Sequence, residues 1–190
     1  MANIEKKHFD AAGQMVEVIA AKLGKGRAVH PETAIAAGAR MAGTMLFRSF
    51  SFDTSKMPPG SAILSDKANQ KGPELMNILF AMLNKYGLSP DQEKLAKNTG
   101  RGAAPKLTVT ETQELLEGDL TAVREKFGLN LEDGARACAM ATAFLVRECT
   151  SKIGLEIAFN VAVYGFVEGC KTVPIRNETE AKRKWFQFWK

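Results

Sequence analysis

Histidine, cysteine and tryptophan are scarce in this chain, with two, three and two among 190 residues. The two histidines, His8 and His30, stand apart, and no HExxH, di-iron Glu-x-x-His or EF-hand pattern occurs. No metal and no cofactor is therefore expected. The three cysteines, Cys138, Cys149 and Cys170, form no CxxC pair, so neither a redox motif nor a zinc knuckle has support. An odd cysteine count fits reduced thiols in a cytoplasmic setting. On one helix, Cys138 and Cys149 share a face but stand about 16 Å apart along the axis, too far to bridge. All three read as small buried apolar side chains.

Long hydrophobic runs are missing too. None approaches the roughly 20 residues that a spanning helix needs. The first residues, MANIEKKHFD, put no apolar stretch behind their charges, so a secretory signal is not expected. GxSxG, GxGxxG and GxxxxGK[ST] are absent, which removes support for a nucleophile elbow and for the common nucleotide-binding loops. Strand patterns are nearly absent: KLTVT at 106–110 is the best, and a lone strand has no partner.

What is present is helix. Hydrophobic residues make up 45% and charged residues 25%, ordinary for a globular chain with a sizeable core. Phe9, Ala12, Val16, Ile19 and Leu23 alternate three and four apart, predicting a helix over 4–23 that Gly24 ends. His30-Pro31-Glu32 opens a second helix to about Phe50, with proline at its first position. Ala34, Gly38 and Ala42, with Ala39 and Gly43 beside them, give it a small-residue face that another helix backbone can approach closely. Residues 51–72 read as irregular, with a helical turn near Ser61–Ser65 or a functional loop inside them.

Gly72-Pro73-Glu74 reads as the start of a third helix, lined on one side by Leu75, Leu79, Met82, Leu83 and Tyr86 and ended by Gly87. Ser89 to Gln92 reads as a capping box for a short helix to Lys97. Thr110 to Gln113 reads as another, for a helix that Gly118-Asp119 would split and Gly128 would close. Asn130 caps a helix to about Lys152, apolar from Ala137 to Val146 except at Thr142. A similar helix follows from Gly154 to Cys170. The expectation is an all-α, single-domain bundle of six or seven helices over residues 1–175, with the last two forming a central apolar hairpin. Residues 176–190 form a separate basic, aromatic C-terminal tail.

Charge is uneven. Six basic and two acidic residues lie between Lys171 and Lys190, so most of the net +5 belongs to that end and the rest is close to neutral. A general nucleic-acid footprint is weakened accordingly. As a helix, the tail would put Trp185, Phe188 and Trp189 on one face beside Arg183 and Lys184, which suits docking on a core, a second copy, another protein or a membrane surface.

Two further groups are candidate sites. Glu156, Asn160, Tyr164 and Glu168 recur every four residues as a polar stripe on an apolar helix, and Arg136 and Arg147 share a face of the helix before it. Together Arg136, Arg147, Glu156, Asn160 and Tyr164 would line a polar pocket, or the stripe is simply the side that meets water. Lys97, Gly100, Arg101, Gly102 and Lys106 make a glycine-rich basic loop of the kind whose amides can hold phosphate. With no catalytic motif, the leading expectation is a non-catalytic protein acting by association, as a homo-oligomer or with another protein. The alternatives are a small-molecule binder or enzyme using the pocket, and a peripheral membrane or nucleic-acid protein using the tail.

Overall fold

The computed structural model describes residues 4–24, 29–97 and 103–176. Among them are seven helices and no strand: α1 (Lys6–Leu23), α2 (Pro31–Ser49), α3 (Asp66–Lys85), α4 (Gln92–Lys97), α5 (Val109–Lys126), α6 (Leu131–Ile153) and α7 (Leu155–Lys171). The chain is all-helical and forms one domain, as its periodicity predicts.

Helix α2 is the hub. Pro31 occupies its first turn, and the His30 ring accepts a hydrogen bond from the Thr33 amide. From Glu32 to Phe47 every residue is buried. A helix can be enclosed on all sides only if its neighbours come close, and alanine and glycine permit that. A Cβ added at Gly43 would stand 2.6 Å from the Phe166 carbonyl oxygen, and one added at Gly165 would stand 2.7 Å from the Ala39 Cβ. On another face of α2, a Cβ at Gly38 would stand 2.9 Å from the Thr142 hydroxyl of α6, while the Cys138 thiol donates to the Gly38 carbonyl at 3.3 Å.

The expected central hairpin is therefore rearranged. Helices α6 and α7 are joined through Gly154 alone, at φ 83°. Yet each packs more extensively on α2 than on the other. The small-residue helix, not the most apolar pair, holds the centre.

Other boundaries move for local reasons. Ser65 caps α3 by accepting from the Ala68 amide, so the helix starts before Gly72 and carries Pro73 inside it. Segment 61–65 is no helical turn. Ser61 and Ile63 exchange three backbone hydrogen bonds, together with Gly60, with Lys171 and Val173 around an isolated antiparallel bridge, Ala62 to Thr172. Asp91, not Ser89, caps α4 through the Glu93 and Lys94 amides. Thr108 and Glu111 form the capping box of α5, two residues before the expected one, and α5 runs unbroken through Gly118. Asn130 caps α6 as predicted, accepting from the Asp133 amide at 2.8 Å.

A polar seam runs down α2. Arg40, Thr44 and Arg48 lie four apart and so face one way. Arg40 donates to Glu168 of α7 and to the Leu107 carbonyl. Gln113 of α5 donates to the Thr44 hydroxyl and accepts from the Ile175 amide. Arg48 pairs with buried Glu117 and donates to the Ile175 carbonyl at 2.7 Å. The seam fixes the chain where it leaves the described residues at Arg176.

Candidate functional site

Helix α6 turns one side to α2, and over its other side α1 and α3 leave an apolar groove of about 470 Å³. Its floor is Met140 and Ala141, both buried, with Phe144 half-buried at one end. Helix α1 supplies Phe9, Gly13 and Val16 to one wall, and α3 supplies Met82 and its C-terminal capping residue Tyr86 to the other.

The setting of α1 makes the groove. The stripe read from sequence places Phe9 and Val16 inward. The buried face is instead His8, Ala11, Ala12, Met15 and Ile19. His8 decides this rotation. Its Nδ1 accepts a hydrogen bond from the Glu5 amide at 3.0 Å, so Nε2 carries the ring proton and lies 3.4 Å from Asp133 of α6. With the His8 ring held inside by the Glu5 amide and buried beside Ala11 and Ala12, the phenylalanine turns outward and is 41% exposed.

Helix α3 is held across from α1 by charges. Arg136 of α6 donates to Glu74 at 2.8 Å and to Asp133 at 2.6 Å, and Lys71 lies 3.6 Å from Glu132. Burial works against the Arg136 charge, but the two carboxylates outweigh it and raise its pKa. Burial alone would raise the Asp133 carboxyl. The Arg136 hydrogen bond and the nearby His8 outweigh it, leaving that pKa lowered.

The lips of the groove differ in charge. On the α3 and α6 side, Lys85 sits 5.7 Å from the centre of the Phe9 ring, and the Arg147 guanidinium lies 4.7 Å from that of Tyr86 and 4.6 Å from that of Phe144. On the α1 side, Asp10 and Glu17 are exposed, and neither forms an ion pair with another described residue.

The polar pocket expected between α6 and α7 is not assembled. Arg136 is engaged with α3 and its own helix, and Arg147 pairs with its neighbour Glu148 while stacking at the groove. Glu156 instead accepts from the Asp91 amide at the start of α4. Tyr164 is 42% exposed and Asn160 half-buried, so the stripe lies on the partly wetted side of α7, with Glu168 turned to Arg40. The reason is the hub: both helices turn their buried faces to α2 rather than to each other.

Of the glycine-rich basic loop, Gly100, Arg101, Gly102 and the Lys97 side chain lie outside the described residues. Lys106 is described, and its amide is spent on the Thr33 hydroxyl, while the Ala103 amide donates to Glu32. These bonds dock the loop's end on the start of α2. The tail residues Arg183, Lys184, Trp185, Phe188 and Trp189 also lie outside the described residues.

Cys138 and Cys170 are buried, and burial pushes both thiols up to about 12. Cys149 is half-buried; its thiol is raised by burial foremost and by the carboxylates of Glu148 and Glu32, against Lys152. Protonated thiols are poor nucleophiles. Among the described residues no cluster of three or more metal-ligating side chains occurs, and no helix is long and apolar enough to cross a membrane.

The groove was not singled out from sequence, although Phe9, Val16, Met82 and Tyr86 were all visible as apolar periodic positions. The polar seam was missed as well; its signal was the four-residue spacing of Arg40, Thr44 and Arg48 on a helix of small residues. Compared with protein-family models, with curated proteins and with solved structures, the chain matches none.

Proposed function

We propose that this protein is a non-catalytic binding module, and that it acts by taking an apolar, aromatic-bearing peptide segment into the groove between α1 and α3. The observation that carries the reading is the groove itself: Phe9, Tyr86 and Phe144 left partly open to solvent around buried Met82 and Met140. Proteins seldom leave such a surface uncovered without a use for it. Met82 and Met140 are flexible and polarisable, which suits a surface that must accept bulky rings. Two helices flanking a shallow apolar floor provide the geometry of helix-in-groove recognition. The thiols held protonated by burial give no counter-support to covalent catalysis.

The test is selection of short peptides, displayed on phage, against the immobilised full-length protein and its Val16→Glu variant. Enriched sequences should share aromatic or aliphatic anchors three or four apart. They should lose at least tenfold in affinity, about 1.4 kcal/mol, on the variant. Peptides with no shared apolar pattern, or equal binding to both proteins, would refute the reading.

A further inference from the structure

We infer that the groove between α1 and α3 is the docking site of the chain's own C-terminal segment, with Trp185, Phe188 and Trp189 as the rings that enter it. The inference rests on the binding reading above and names the segment that the groove meets first.

Reach is the first support. The described chain ends at Arg176, which donates to the Ser55 carbonyl at 2.8 Å, next to Ile175 in its clamp. That exit lies at the C-terminal end of α2. The same end of the bundle holds the start of α6, where Met45 stands against Gly134, and the start of α1, where His8 faces Asp133. Phe9 is the next residue. From Arg176 to Trp185 the chain can extend about 3.3 Å per residue, or roughly 30 Å. A domain of this size has a radius of gyration of about 16 Å. The segment is long enough to cross that end of the molecule and enter the groove.

Chemistry is the second. The segment holds both tryptophans of the chain. Indole rings against Met82 and Met140 make the sulfur–aromatic contacts that thioethers favour. Charge is the third. Lys182, Arg183 and Lys184 come immediately before the rings, and the α1 lip offers Asp10 and Glu17, which have no ion-pair partner among the described residues. Finally, a tether this short gives the segment an effective concentration in the millimolar range, so modest intrinsic affinity keeps the groove covered. A partner segment then binds by displacing the chain's own.

Both tryptophans report on this segment alone, so their emission tests the inference in the intact protein. It should be blue-shifted, weakly quenched by acrylamide and unchanged on hundredfold dilution. Val16→Glu should shift it to the red and raise quenching severalfold. Should that variant perturb the fold, methionine-methyl NMR gives a second readout. Trp185→Ala with Trp189→Ala should move the Met82 resonance and leave that of Met41, enclosed in α2, in place. The same double variant should bind the phage-selected peptides more tightly than the parent.

Red-shifted, freely quenched emission in the parent protein would overturn the inference. Emission that changes with dilution would overturn it in favour of docking between copies. Blue emission in both proteins with an unmoved Met82 resonance would place the rings elsewhere and overturn it too. None of these results touches the peptide selection, so the groove reading stands or falls separately.

Discussion

Gly169 of α7 lies directly against Gly43 of α2: a Cβ on Gly169 would stand 2.9 Å from the Gly43 Cα. Two helix backbones meet there with no side chain between them. The contact explains how α2 can be enclosed from Glu32 to Phe47 while still carrying arginines at 40 and 48.

Gly169→Ala should therefore cost about 1–3 kcal/mol or more, because the obstructing atoms belong to backbone and cannot rotate away. Gly118→Ala offers the contrast. Nothing lies within 4 Å of a Cβ at that exposed position on α5, so the change should stabilise the helix by about 0.5–1 kcal/mol. Urea midpoints check both. A Gly169→Ala midpoint equal to that of the parent would disprove the close crossing.

Glu117→Gln replaces the carboxylate that pairs with Arg48 in a site where Glu117 is 3% exposed. It should lower stability by up to about 3 kcal/mol. Because Arg48 also holds the Ile175 carbonyl, hydrogen exchange at the Ile175 amide should accelerate more than exchange in α3. Glu148→Gln, at the exposed Arg147 pair, should change stability by less than about 1 kcal/mol.

Asp133 sets part of the acid stability. Its folded pKa is below the ordinary 3.8, so its contribution is fully present above that value and is lost as pH falls through the lowered one. Asp133→Asn should lower stability at neutral pH and flatten the acid limb below about pH 4. Chemical denaturation at stepped pH measures this, and parallel curves for the two proteins would contradict it.

Thiol chemistry follows burial. With Cys138 and Cys170 held up to about 12, native protein at mild alkaline pH should release colour from one thiol at most, Cys149, and slowly. In urea all three should react. Rapid titration of two or more native thiols would show that the helices around α2 open readily.

The helices were legible because their signals are local. Asn130 caps α6 where expected, and the apolar spacing of α3 identifies Leu75, Leu79, Met82 and Leu83, all buried. Boundaries failed where two local signals competed. Gly72-Pro73 reads as a helix start, but Ser65 offers an earlier cap, and α3 runs on through Pro73 with one backbone hydrogen bond fewer. The site was less legible because it depends on which face of each helix turns inward. Phe9 and His8 are neighbours on α1, and a scale of hydrophobicity buries the first. Position decides otherwise, since the imidazole finds the Glu5 amide and Asp133 while the phenyl ring finds only the groove. Helix spacing alone groups Arg147 with Glu156, and it carries no knowledge that both helices turn their buried faces to α2.

The central place of α2 also bears on biosynthesis. Arg40 and Glu168, which meet across the α2–α7 contact, are 128 residues apart in the chain. At about 5–20 residues per second, α2 leaves the ribosome roughly 6–26 s before α7 exists to cover it. Until α6 and then α7 emerge, its alanine- and methionine-rich surface lacks the two helices that pack on it most extensively. Productive collapse must wait for the last third of the polypeptide, so destabilising changes in α7 should reduce the yield of folded protein in cells more than equal changes in α1.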